Sequence, residues 1–201
     1  MTRPAAFLDR DGTIIEDSGF IGDPNRVLVL PTVVEALRLL ARHGFATIVV
    51  TNQSGVARGY FDEGAVRAVN DEVARRLAGD GLTLDAWYHC PHWDEGCDCR
   101  KPSPGMIRRA ASEHDLDVAR SVVIGDRGSD IALAHGIGIP GVLVPGPERY
   151  AGPEPDYRAA TLLEAVEWVV ARPALRQAQG DTVGAQGDTV GAQGDSVVRR
   201  G

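Results

Sequence analysis

Two aspartates two residues apart, Asp9 and Asp11, follow the apolar run at 4–8 and precede Gly12-Thr13-Ile14. In near-extended backbone, positions i and i+2 project to the same side, so the two carboxylates face one point. Gly12 permits a tight turn and lets a ligand approach the backbone. One carboxylate of such a pair can attack phosphorus while the other passes a proton to the leaving oxygen. Taken alone, the segment also reads as a solvated acidic turn, because Asp and Gly are ordinary turn residues. Three further segments weigh against that reading. Thr51-Asn52-Gln53-Ser54 places hydroxyl and amide donors after the apolar run 45–50, and Arg100-Lys101 supplies cations before a helical pattern. Gly125-Asp126-Arg127-Gly128-Ser129-Asp130 adds two acids after another apolar run. Together these offer carboxylates for a metal, donors for phosphate oxygens and a lysine point charge. Clustered carboxylates repel one another and would repel a phosphate dianion, and a hard divalent cation such as Mg²⁺ removes both difficulties.

The chain has three cysteines, Cys90, Cys97 and Cys99, all within one ten-residue window with His92. An odd count so closely spaced is a poor disulfide framework. Cys-x-His followed by Cys-x-Cys supplies three thiolates and one imidazole, a closed tetrahedral set for Zn²⁺. A closed set implies a structural ion. His43, His114 and His135 fall in helical patterns and read as surface or packing residues, and His89 lies just outside the ligand spacing.

The elements that must carry these residues are legible in outline. Short apolar runs at 4–9, 45–50, 86–89, 121–125 and 141–144 read as strands buried on both faces. Between them, Val33, Val34, Leu37 and Leu40 share a helix face, and Val66, Val69, Val73 and Leu77 share another, with Asp62 as its N-cap. Ser103-Pro104 reads as an N-cap followed by a first-turn proline, and residues 129–135 as a short helix ended by Gly136. Alternating strands and helices predict an α/β doubly wound parallel sheet, whose ligands bind outside the carboxyl ends of the strands. Residues 1–172 are expected to form that single domain, with a metal loop at 90–99. From 173 to 201 a repeated Ala-Gln-Gly-Asp-Thr-Val-Gly unit has too little apolar content to offset its ordering entropy and reads as a disordered tail.

With 43% hydrophobic residues and a net charge of -7, the chain has material for a core and no overall attraction for nucleic acid or an anionic membrane. Its longest apolar runs fall far short of the roughly 20 residues of a spanning helix, and the first residues lack a signal-peptide core. A monomeric cytoplasmic protein acting on a small phosphorylated molecule is the expectation, with no nucleic-acid or membrane partner.

The set Asp9-Arg10-Asp11-Gly12-Thr13, Thr51-Asn52, Lys101 and Gly125-Asp126, in that order, resembles the four signatures of the haloacid dehalogenase superfamily of phosphotransferases. The resemblance covers about residues 4–170 and implies a Rossmann-like haloacid dehalogenase fold. It implies Asp9 as nucleophile and Asp11 as general acid, then base. Thr51 and Lys101 would hold the transferred phosphoryl group. Asp9, the Asp11 backbone carbonyl and Asp126 would bind Mg²⁺, with Asp130 behind them. The cysteine loop is similar to that of the branch containing heptose bisphosphate phosphatases and histidinol-phosphate phosphatases. Within the heptose reading, Asp17, Ser18, Gly19, Phe20, Thr51, Asn52, Gln53, Ser54, Arg100 and Lys101 would line the substrate, with Arg127 and, from charge alone, Arg58. Arg100 could meet a second phosphate bidentately. The resemblance thus implies removal of the C7 phosphate from a heptose 1,7-bisphosphate. Two features lean toward histidinol phosphate: the short spacer between His92 and Cys97, and Arg127. A non-catalytic phosphate-binding or zinc-scaffold protein is the alternative from another class. The intervals 9–51 and 51–101 leave no room for a large cap domain, so the zinc loop is expected to wall the site.

Overall fold

All four residues of β1 (Ala5–Leu8) are buried, so this strand can satisfy both faces only at the middle of a layered sheet. The computed structural model, which describes residues 2–93 and 96–175, places it there. The strand order is β3 (Ala86–Cys90), β2 (Ala46–Asn52), β1, β4 (Val122–Gly125), β5 (Gly141–Leu143) and β6 (Tyr157–Arg158). Every pairing is parallel, with Leu8 beside Val49 on one side and Ile124 on the other.

Parallel neighbours require crossovers. Helices α1 (Val33–Arg42), α2 (Glu63–Ala78), α3 (Gly105–His114) and α4 (Gly128–Gly136) supply them, and α5 (Leu162–Ala171) follows β6. Side chains alternate across the sheet and divide the core in two. Ala6, Leu8, Val49 and Ile124 pack with α1, α2 and α5, through residues such as Leu37, Leu40, Val73 and Val166. Ala5, Phe7, Ile48 and Val50 pack on the other side with Ile107 of α3 and Leu133 of α4. This is the doubly wound arrangement expected from the sequence, without a large cap domain.

Local signals explain the helix boundaries. The Asp62 carboxylate accepts from the Ala65 amide at 2.8 Å and opens α2, whose Val66, Val69, Val73 and Leu77 are all buried. Two expected boundaries shift. Helix α3 starts at Gly105 with Pro104 at its cap and no side-chain cap, because the Gly105 amide donates to the Asp98 carbonyl at 2.8 Å and ties the helix start to the cysteine loop. Helix α4 runs through Gly136. The left-handed residue that turns the chain is Gly138, with φ +74°, and the Ile139 amide closes back on the Ala134 carbonyl.

Asp85 locks the amino edge of β2. Its carboxylate accepts from the Thr47 amide at 2.7 Å and the Thr47 hydroxyl at 3.1 Å, and pairs with Arg3. Beyond α5, a 3₁₀ turn at Pro173–Leu175 seats Leu175 in the core on the α1 and α5 side. The repeats expected to form a tail fall after 175, outside the described residues. Among the described residues no helix is long and apolar enough to cross a membrane.

Candidate active site

The chain reverses direction across the sheet at β1: β2 and β3 lie to one side, and β4 to β6 to the other. Two loops leaving neighbouring strands toward opposite sides open a crevice at their carboxyl ends. Asp9 follows β1 there, its amide still bonded to the Ile124 carbonyl at 2.9 Å, and Asp126 follows β4. Carboxylate oxygens of Asp9, Asp126 and Asp130 lie within 4.8 Å of one another, and all three residues are buried.

Lys101 is buried against this cluster. Its Nζ lies 2.8 Å from Asp9 Oδ1 and 2.6 Å from Asp130 Oδ1. Burial alone would lower the lysine pKa, but Asp130 and Asp9 hold it above its ordinary value. Lys101 is fixed by Asn52, at the end of β2, whose Oδ1 accepts from the Lys101 amide at 3.0 Å and whose Nδ2 donates to the Lys101 carbonyl at 3.2 Å. Asn52 was expected among the substrate ligands. It lines the cavity, but both ends of its amide are engaged by the lysine backbone.

Asp11 sits apart from the acidic trio. Arg10 reaches both its oxygens, Nε to Oδ1 at 3.1 Å and Nη2 to Oδ2 at 3.0 Å, and is itself anchored on Asn70 of α2. Gln53 Nε2 donates to Asp11 Oδ2 at 2.7 Å and to Thr51 Oγ1 at 2.8 Å. The burial of Arg10 and its grip on Asp11 were not anticipated from sequence. Burial raises the Asp11 pKa; Arg10 opposes the shift and Asp9 adds to it.

The trio fits a hard cation. Among the described residues, Asp126 Oδ1 is buried with no hydrogen-bond partner. Burial, then repulsion from Asp9 and Asp130, pushes the Asp126 carboxyl up to about 7. An all-oxygen set that cannot comfortably ionise together suits a divalent ion such as Mg²⁺. The backbone makes room for it: a Cβ at Gly12, where φ is +81°, would lie 2.5 Å from Asp126 Oδ2, and one at Gly146 would lie 2.2 Å from the same oxygen.

Above the trio opens a cavity of about 540 Å³. Asp9, Asp11, Asp17, Gly19, Phe20, Thr51, Asn52, Gln53, Ser54, Arg58, Arg100, Lys101 and Arg127 all line it. Ser18 does not; its hydroxyl and carbonyl accept from Arg26, on the outer side of the same loop. Arg127 Nη2 lies 2.8 Å from Asp17 and 3.3 Å from Glu148, tying three loops together at the rim. Sequence reasoning missed Trp93 and Glu148. Trp93 stands beside a predicted metal ligand, which was the available clue, whereas Glu148 lies in a loop with no motif.

Below the rim, the four expected zinc ligands converge. Cys90 Sγ lies 3.1 Å from Cys99 Sγ and 3.6 Å from Cys97 Sγ, and His92 Nδ1 is 3.3 Å from Cys99 Sγ. Three sulfurs and one imidazole at these separations match the soft donor set of a structural Zn²⁺ site. The loop is joined to the acidic site through the backbone, since the Gln53 amide donates to the Cys90 carbonyl at 2.7 Å.

This fold and site define a class. A family model described as HAD-hydrolase-like matches residues 98–165. The chain belongs to the phosphatases of the haloacid dehalogenase superfamily. It is 43% identical over 147 residues to a D-glycero-beta-D-manno-heptose-1,7-bisphosphate 7-phosphatase of Rhodopseudomonas palustris, covering 69% of this chain and 82% of the relative. It is 38% identical over 197 residues to a D-glycero-D-manno-heptose-1,7-bisphosphate 7-phosphatase of Thermosynechococcus vestitus, covering 88% of this chain and all of the relative. Among solved structures, the D,D-heptose 1,7-bisphosphate phosphatase of B. bronchiseptica, complexed with magnesium and phosphate, superposes with a TM-score of 0.76 at 35% identity, over 85% of this chain and 99% of that one.

Proposed function

We propose that this phosphatase removes the C7 phosphate of D-glycero-D-manno-heptose 1,7-bisphosphate, with Asp9 as nucleophile. The observation that carries the reading is the meeting of Asp9, Asp126 and Asp130 at the sheet's reversal point, with Lys101 bridging two of them. Names of the relatives support the substrate, and two arginines at the cavity rim suit a second phosphate.

Asp9, Asp126 and the Asp11 backbone carbonyl would hold Mg²⁺, with Asp130 orienting Lys101 behind them. The ion would neutralise the carboxylates and draw charge from the phosphoryl oxygens. An Asp9 carboxylate oxygen attacks phosphorus, and the bond from phosphorus to the C7 oxygen breaks. Asp11 gives its proton to that departing oxygen; burial favours the protonated acid this needs. Asp11 then takes a proton from water, whose oxygen attacks the phosphorus of the aspartyl phosphate and frees Asp9 and inorganic phosphate. Lys101 and the Thr51 hydroxyl steady the phosphoryl group through both steps, largely by charge and position. Gln53 keeps Asp11 turned toward Thr51.

The zinc loop would stiffen the chain between β3 and Lys101 and form one wall of the cavity. A panel containing the heptose bisphosphate and histidinol phosphate tests the assignment. The expected result is Mg²⁺-dependent phosphate release with the higher kcat/KM on the heptose, abolished in Asp9→Asn. A higher kcat/KM on histidinol phosphate would replace the substrate, and full turnover by Asp9→Asn would overturn the mechanism.

A further inference from the structure

Among the described residues, every cation lining the cavity except two has its charge met by an acid. Lys101 has Asp9 and Asp130, and Arg127 has Asp17 and Glu148. Arg58 and Arg100 pair with no carboxylate among the described residues. Instead they converge on one aromatic ring. The Arg58 guanidinium carbon lies 3.6 Å from the centroid of Trp93 and that of Arg100 lies 4.9 Å from it. All three residues line the cavity.

The surrounding contacts fix this cluster. Arg58 also lies 5.6 Å from the Phe20 ring, which meets Tyr60 edge-on at 4.8 Å. Arg100 Nη1 donates to the His92 carbonyl at 3.2 Å, so its guanidinium is held by the backbone of a predicted zinc ligand. Two guanidiniums this close repel, and the electron-rich face of an indole offsets that repulsion. It also removes rotamer freedom that two long side chains would otherwise lose on binding.

We propose that Trp93 is a positioning residue that holds Arg58 and Arg100 ready for the non-reacting phosphate, and so gives the site its preference for a bisphosphate over a monophosphate. This rests on the function proposed above. Asp9 and the Trp93 cluster line the same cavity, and the cluster would take the anionic group that does not react. The ring touches the two cations that select the substrate and needs no contact with the reacting phosphorus.

The test compares the full chain with Trp93→Ala and Trp93→Phe on the heptose 1,7-bisphosphate and on the same sugar phosphorylated only at C7, with zinc content measured for each protein. The expected result is a bisphosphate-to-monophosphate ratio of kcat/KM that falls about tenfold in Trp93→Ala, mostly through KM, and is largely restored in Trp93→Phe. Equal losses on both substrates, or a change that follows lost zinc and not the ring, would show that Trp93 only packs the loop. A wild-type preference absent from the start also overturns the proposal, while leaving the phosphatase reading standing. Should neither sugar be hydrolysed, the substrate assignment fails instead. Fluorescence then decides: inorganic phosphate should change the emission of the wild type but not of Trp93→Phe, with weaker binding in Arg58→Ala. An unchanged spectrum overturns the positioning role.

Discussion

Asn52 holds Lys101 by its backbone at both ends, accepting from its amide and donating to its carbonyl. The pairing joins the tip of β2 to a loop 49 residues further along the chain, and it sets where the lysine ammonium can reach. Replacing Asn52 with Ala leaves both backbone groups seeking other partners. Turnover should drop about 10²-fold, the scale of a misplaced catalytic group, with a stability loss of about 1–3 kcal/mol. Steady-state kinetics and urea unfolding check this. Asn52→Asp retains only the acceptor and should fall between the two.

Gly146 leaves room for the Asp126 carboxylate, because a Cβ there would approach Asp126 Oδ2 to 2.2 Å. Gly146→Ala should push that oxygen out of the acidic trio. The Mg²⁺ concentration needed for half-maximal activity should rise about tenfold or more, within the range seen when groups supporting a metal ligand are lost. A magnesium titration of initial rates measures it, and an unchanged midpoint would exclude Asp126 as a ligand.

Asp85 should make part of the stability depend on acid. Burial alone would raise its pKa, but the Thr47 amide, Arg3 and the Thr47 hydroxyl together hold it below the ordinary carboxylate value. A depressed folded-state pKa adds stability above the unfolded value of about 4, and this is lost as pH falls through the folded value. Asp85→Asn should therefore cost about 1–3 kcal/mol at neutral pH. The gap from wild type should shrink as pH falls below about 4. Urea unfolding of both proteins across that range gives the answer.

The cysteine loop should carry about one zinc per chain, removable by a strong chelator with loss of thermal stability. Burial pushes the Cys90 thiol well above its ordinary pKa, so a metal bound there must displace that proton. Retention should fall steeply with acid as ligands are protonated, which elemental analysis after dialysis at stepped pH would follow. Cys99→Ser should lose zinc at a higher pH than the wild type.

The sequence showed plainly whatever depends on neighbours along the chain. Asp62 caps α2 and the valine stripe faces the core, because cap and period are local signals. The acidic motifs also fell where strand ends meet, because a doubly wound sheet brings such ends together. Helix α5 was overlooked although Leu162, Ala165, Val166 and Val169 repeat at helical spacing behind a Thr161 cap. The two-residue β6 carries too short a pattern to read. Other features depend on distant partners. Arg10 is buried because Asn70, sixty residues away, receives it, and Arg58 meets Trp93 only once β2 and β3 lie side by side.

One backbone contact reaches further than its size suggests. The Cys90 carbonyl that receives the Gln53 amide belongs to a residue of the cysteine cluster, while the Gln53 side chain donates to Asp11. A single peptide unit therefore links the cysteine cluster to the proposed proton donor. On the proposed roles, loosening the cluster would tilt the glutamine, and the symptom would be slow departure of the alcohol.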